Sequence, residues 1–236
     1  MINNHSQQNP QINKVTTTSN GMKFTFKTET LPILIVLISI VLGFYFYSVF
    51  PDQVPVHWNV AGEIDRWGSK FEGAWLMPLI AIGMYILFLI LPIIDPRKEK
   101  YNQFAKIYLL FRMLILLMML GIYLIASLNS LGHNIRVEVW IPIVIGLSFI
   151  IIGNYMGKIK SNWFLGIRTP WTLSSETVWN KTHRLGGKLF MLMGILLIIT
   201  PLLPYHNIFF VLIIPVLIIS LIPVVYSYLL YRKEKK

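Results

Sequence analysis

The sequence predicts an all-α, polytopic membrane protein: a bundle of six transmembrane helices with a structured outer loop, read as a β-hairpin, and an amphipathic helix at the inner interface. Three observations carry that expectation. Of the 236 residues, 55% are hydrophobic and only 13% charged, and the mean hydropathy of +0.62 lies well above that of an ordinary soluble domain. The apolar residues gather into six runs, each near or above the roughly 20 residues that cross a bilayer as a helix. The net charge of +11 arrives in short clusters between those runs, which is how membrane topology is written and not how a nucleic-acid-binding face is built. Cysteine is absent, so disulfides, thiolate catalysis and cysteine-ligated metals are excluded.

Residues 1–29 are rich in Asn, Gln, Thr and Ser. They hold too little apolar surface to offset the entropy of ordering and are expected to form a disordered cytoplasmic tail. The spans follow at about 31–50, 74–94, 104–128, 138–157, 187–203 and 207–230, and they must be helices because unpaired backbone groups in lipid cost several kcal/mol each. Pro32, Pro78 and Pro142 are expected in first helical turns, where a missing amide had no partner. Pro215 and Pro223 lie inside the sixth segment and are expected to kink it. The division expected is a three-helix half over 30–130 with an outer loop at 51–73, then a second three-helix half over 131–236 with an inner loop at 158–187.

Orientation follows from the cations. The tail, the second and fourth connections and the C-terminus hold seventeen Lys and Arg residues; the other side holds three, Arg66, Lys70 and Arg136. That bias predicts a multi-pass protein of the bacterial plasma membrane with both termini cytoplasmic.

In the outer loop, Val54, Val56, Trp58 and Val60 alternate with Pro55, His57 and Asn59, the period of a half-buried strand. A turn around Gly62 and a returning arm "RWGSK" complete a hairpin. Asp52, Glu63, Asp65 and Glu72 outnumber Arg66 and Lys70, and an acidic, aromatic surface suits a cationic or amphipathic peptide. The residues expected to face such a ligand are His57, Trp58, Asn59, Gly62, Asp65, Trp67 and Lys70; the plainer reading is a structural cap with its tryptophans among headgroups. One His with Glu63 and Asp65 is a weak ligand set, and neither metal nor cofactor is expected.

The inner loop carries "NWFLGIRTPWTLSSETVWNKTHRLGG", residues 162–187, with three tryptophans, Trp163, Trp171 and Trp179. Gly166 and Pro170 predict irregular backbone. Ser174 is expected to cap a helix with Glu176 at its positive end, which runs into the fifth segment and whose apolar side lies in the interface with the tryptophans as anchors. Two readings stand: an anchor whose Arg168, Lys181 and Arg184 meet lipid phosphate, or a docking platform for a cytoplasmic partner formed by Asn162, Gly166, Arg168, Thr169, Pro170, Trp171, Trp179, His183 and Arg184. Arg112 lies within the third span about two turns from its inner edge; snorkelling is preferred over a buried pair with Asp95 or a neighbouring helix. Gly153 and Gly157 form a G-x-x-x-G expected to ease internal packing. No zinc-protease, nucleophile-elbow or phosphate-loop motif is present, nor a chain of intramembrane acids, so neither an enzyme nor a pump is expected.

The 162–187 stretch resembles the signature of the SdpI family of bacterial membrane proteins, and "PDQVPVHWNVAGEIDRWGSK", residues 51–70, resembles the uncharacterised outer-loop domain that precedes it in many members. The resemblance implies immunity: members protect a producing bacterium from a secreted peptide toxin that depolarises membranes. It also implies signalling, in which toxin leads to capture of a small winged-helix repressor at the membrane, with no direct contact to nucleic acid. The expected partners are therefore the bilayer, a toxin outside and a repressor inside. The alternative is a multipass transporter or exporter of a peptide or lipid.

Overall fold

The computed structural model describes residues 22–235, so most of the expected tail lies outside the described residues. The chain runs α1 (Phe26–Val49), β1 (Gln53–Trp58), β2 (Ile64–Ser69), α2 (Lys70–Ile94), a 3₁₀ turn (Lys98–Gln103), α3 (Ala105–Ser130), α4 (Val137–Met156), the short α5 (Pro170–Ser174), α6 (Glu176–Ile199), a second 3₁₀ turn (Thr200–Leu202) and α7 (Tyr205–Glu234). Six of these helices are long and apolar enough to cross a membrane. β1 and β2 form the antiparallel hairpin, pairing Gln53 with Ser69 and Trp58 with Ile64, and Gly62 turns the chain at φ +81°.

α1, α2 and α6 begin earlier than hydropathy predicts, because polar side chains cap them before the apolar runs start. Thr25 and Thr28 form a capping box at α1, and Ser69 accepts from the Glu72 amide at α2. The tail therefore ends sooner than residue 29. Pro32, Pro78 and Pro142 consequently fall inside their helices and not in first turns, contrary to the expectation above. Each such proline strips a hydrogen bond from the carbonyl four residues back, which lipid cannot replace.

α3 replaces it. The Thr28 carbonyl, freed by Pro32, accepts from Arg112 Nη2 at 3.1 Å. The Ala74 carbonyl, freed by Pro78, accepts from the Tyr123 hydroxyl at 2.6 Å. The Phe88 carbonyl, freed by Pro92, accepts from the Tyr108 hydroxyl. Tyr108, Arg112, Leu116, Met119 and Tyr123 are all buried on one face of α3, at helical spacing, so that face meets α1 and α2 with polar donors where their backbones are defective.

Arg112 does not snorkel. It is fully buried and pairs with Glu29 at 2.8 Å, while Tyr85 donates to the same carboxylate at 2.9 Å. Its guanidinium lies 5.5 Å from the Phe24 ring and 5.7 Å from the Tyr85 ring. The acid comes from the first turn of α1, a neighbouring helix, so pairing inside the bundle is available and the charge need not reach water.

The most extensive helix contact is α4 with α6, and two glycine pairs set it. A Cβ at Gly153 would lie 2.5 Å from the Gly187 carbonyl oxygen and one at Gly187 2.4 Å from that of Gly153; Gly146 and Gly194 relate in the same way, at 2.6 and 2.5 Å. The pairs recur seven residues apart on both helices, letting the backbones touch along two turns. Gly157, the other half of the expected motif, faces Arg184 instead. α6 in turn packs on α7, and α3 joins α4 to α1 and α2.

Candidate functional site

Two polar assemblies cap opposite ends of the bundle. At one end the hairpin rests on the C-terminal end of α3 and the start of α4. Val54 is fully buried against Phe46, Phe50, Ala74 and Tyr123, which plugs the hairpin into the bundle. Trp58 Nε1 donates to Asn129 Oδ1 at 3.1 Å, and Asn129 Nδ2 donates to the Ile135 carbonyl at 2.9 Å. Trp58 is thus a brace.

Asn59 organises the turn: its Oδ1 accepts from the Ala61 and Glu63 amides at 2.9 and 3.0 Å, and its Nδ2 donates to Glu63 Oε2 at 2.9 Å. Gly62 adds a second constraint beyond its φ, since a Cβ there would lie 2.5 Å from Glu138 Oε2. His57 Nδ1 and Asp65 Oδ1 pair across the strands at 2.6 Å, Arg66 with Glu72 at 2.9 Å, and Lys70 lies 5.1 Å from the Tyr47 ring. Trp67 is 57% exposed. Of the residues expected to face a ligand, His57, Asp65 and Trp67 present themselves outward, whereas Asn59 and Gly62 shape the loop and Lys70 begins α2.

Between the hairpin and the helices lies a cleft of about 350 Å³. Val56, Trp58 and Val60 line one wall; Val137, Ile141 and Pro142 of α4 line another, with Thr200 and Leu212 behind. Glu138 stands at its rim, bonded to Arg136 at 2.9 Å. A mostly apolar cleft with a carboxylate at its edge can take a hydrophobic side chain next to a cationic one. Sequence reading missed Glu138, Ile141 and Asn129. They lie in or beside the third connection, far along the chain from the hairpin, and only folding brings them together.

At the other end, residues 158–175 form a knot of side-chain to backbone bonds. Asn162 is fully buried. It accepts from the Phe164 and Leu165 amides at 2.9 and 2.6 Å and donates to the Lys160 and Leu165 carbonyls at 2.9 and 3.1 Å. Gly166 sits at φ +101°, and a Cβ there would meet His183 Nε2 at 2.2 Å. His183 is buried on α6; its Nε2 accepts the Ile167 amide at 3.0 Å while Nδ1 lies 2.9 Å from the Trp179 carbonyl. A ring that accepts through Nε2 and donates through Nδ1 is neutral imidazole.

Thr169 and Thr172 form a capping box around Pro170, and Thr169 Oγ1 lies 3.0 Å from Ser227 Oγ on α7. The rings of Trp171 and Tyr228 lie 5.0 Å apart.

The expected helix does run into the fifth span, although Ser174 is not its cap. Ser175, one residue beyond the expected cap, accepts from the Val178 amide and starts α6, which continues unbroken to Ile199. Trp179 is not among headgroups either: it is 1% exposed, donates to the Ile159 carbonyl at 2.8 Å and stacks on His183 at 4.0 Å. The helix carries a buried face against α4 and the loop, so its large aromatic serves the interior. Asn162, Thr169, Trp179 and His183 therefore build this end from within, Trp171 is half-buried, and Gly166, Arg168, Pro170 and Arg184 are exposed on it. Arg168 donates to the Trp163 carbonyl at 2.8 Å.

A clasp from the second connection holds this knot, and the sequence reading did not find it. Asp95 is 2% exposed and accepts from the Arg97 amide at 2.7 Å and from the Trp163 amide and the Tyr101 hydroxyl at 2.9 Å each. Burial, together with that bond to Asp95, pushes the Tyr101 phenol far above its ordinary value, so it stays a donor. Arg97 reaches Ser161 and the Leu173 carbonyl, and Lys100 reaches Glu176. The only signal available was an acid and two cations flanking Pro96 directly after a span.

Residues 158–227 match the SdpI/YfhL protein family, and residues 34–82 match a domain of unknown function, DUF1648. The chain is 30% identical over 207 residues to the immunity protein SdpI of Bacillus subtilis (strain 168), covering 88% of this chain and 97% of that one. The chain belongs to the SdpI/YfhL family. The SdpI match takes in the whole motif knot, α5, α6 and most of α7, whereas the second match covers most of α1, the hairpin and the first half of α2. This SdpI-family chain is a multi-pass membrane protein homologous to an immunity protein. No solved structure matches it.

Proposed function

We propose that the protein confers immunity on its producing cell against a secreted antimicrobial peptide toxin. The reading rests above all on the similarity over almost the whole chain to an immunity protein. In this reading the hairpin end faces outward and both termini lie in the cytoplasm, as the seventeen cations on the motif side favour. The toxin meets the cleft beneath the hairpin, where apolar walls and the Glu138 carboxylate complement an amphipathic, cationic peptide. The motif end faces the cytosol, and its exposed Arg168, Pro170 and Arg184 offer a surface to a winged-helix repressor, coupling toxin outside to gene expression inside.

Expression in a toxin-sensitive bacterium is expected to raise survival. Ile141→Trp, which fills the cleft, Glu138→Gln, and Trp67→Ala on the exposed hairpin face are each expected to lower that survival at unchanged membrane abundance. Killing curves identical with and without the protein, across several membrane-depolarising peptides, would end the proposal.

A further inference from the structure

One face of α6 changes character abruptly along its length. Lys181, Arg184 and Lys188 succeed one another at helical spacing, all exposed, and the same face continues as Leu192, Ile195 and Ile199, which are 49%, 46% and 40% exposed. The three cations line a groove of about 220 Å³ together with Leu185 and with Tyr226 of α7. None of them has an acidic partner among the described residues: the neighbouring acid at the start of α6, Glu176, is taken by Lys100. Lys181 also borders a second groove with Lys233 and Glu234, again without an ion pair.

Three like charges on one face over about 10 Å of helix repel one another. Lys188 lies where the apolar run of α6 begins, at the level where exposed cations meet lipid headgroups. Something anionic therefore belongs in this groove.

We propose that the α6–α7 groove is a binding site for an anionic glycerophospholipid. Its phosphate sits among Lys181, Arg184 and Lys188, the Tyr226 ring walls the headgroup, and an acyl chain runs along Leu192, Ile195 and Ile199. The succession of charge and then hydrocarbon on a single helix face matches a lipid and not a soluble acidic peptide, which would leave the apolar stretch uncovered. The site does not depend on the immunity reading, although Arg184 belongs both to this groove and to the surface proposed for the repressor.

The test uses the full-length protein in neutral detergent, with native mass spectrometry and the thermal unfolding midpoint as readouts. Phosphatidylglycerol is expected to form adducts and raise the midpoint, while phosphatidylcholine and glycerol 3-phosphate do neither. The variant K181Q/R184Q/K188Q is expected to weaken phosphatidylglycerol binding roughly tenfold or more, and the equally charge-reduced control K98Q/K158Q/K160Q to retain it. Should the triple variant fail to fold, K188Q alone is expected to weaken binding several-fold. Retained binding in the groove variants, equal binding of phosphatidylcholine, or the same midpoint shift from glycerol 3-phosphate or a polyglutamate peptide overturns the site.

Discussion

Arg112 shows how a single residue is decided by what surrounds it. A lone arginine in a span invites snorkelling, but here a carboxylate, a proline-freed carbonyl and two aromatic rings converge on it. Removing one partner of a buried pair leaves the other charged and unpaired, typically at about 3–5 kcal/mol. Arg112→Met is therefore expected to lower the unfolding midpoint sharply, and R112M/E29L to recover much of the loss; equal damage in single and double variants would show that the pair itself is not the cause. Glycine 166 makes a second residue-scale case. Gly166→Ala meets both an unfavourable φ and the His183 ring, whereas Gly132→Ala, at φ +86° with open space around it, meets only backbone strain of about 1 kcal/mol. Thermal unfolding of the two variants is expected to separate them clearly, Gly166→Ala being the worse.

At the scale of elements, α3 and the α4–α6 pair set the bundle by two different chemistries. α3 supplies donors to carbonyls that prolines have freed, so Tyr123→Phe is expected to cost about 1–3 kcal/mol through the orphaned Ala74 carbonyl, while the more exposed Tyr45→Phe changes little. α4 and α6 instead need the absence of side chains. Gly153→Leu is expected to force the helices apart and destabilise severely. Gly83→Ala, with nothing near its Cβ, is expected to raise stability by up to about 1 kcal/mol. Neither pattern could be read ahead of folding with confidence in its partner: G-x-x-x-G pointed to Gly153 and Gly157, but the seven-residue repeat through Gly146 and Gly194 is meaningful only once α4 and α6 are known to face each other. The placing of Trp179 among headgroups failed for a related reason, since an amphipathic stretch reads the same whether its apolar side meets lipid or, as for Trp179, a neighbouring helix.

For the whole molecule, the hairpin and the motif knot occupy opposite ends of the bundle, which gives the topology a direct check. The chain lacks cysteine, so Val60→Cys and Ser174→Cys introduce unique thiols at exposed positions. A membrane-impermeant maleimide applied to intact cells is expected to label residue 60 and spare residue 174; labelling of both from outside would remove the assignment of toxin and repressor faces.

Six spans, the hairpin with its Gly62 turn and the family were all legible from the chain alone. Each rests on local information: hydrocarbon thickness fixes run length, side-chain alternation fixes a strand, and a contiguous motif carries the family. Tertiary structure alone decided where Pro32 and Pro78 found replacement donors, that Arg112 pairs with Glu29, that Asp95 and Arg97 clasp the 158–175 knot, and that Glu138 and Ile141 wall the cleft under the hairpin. The reason is physical: inside a bilayer every polar group must find its partner within the protein, and that partner is chosen by which helices lie side by side, a relation the linear order of residues does not contain.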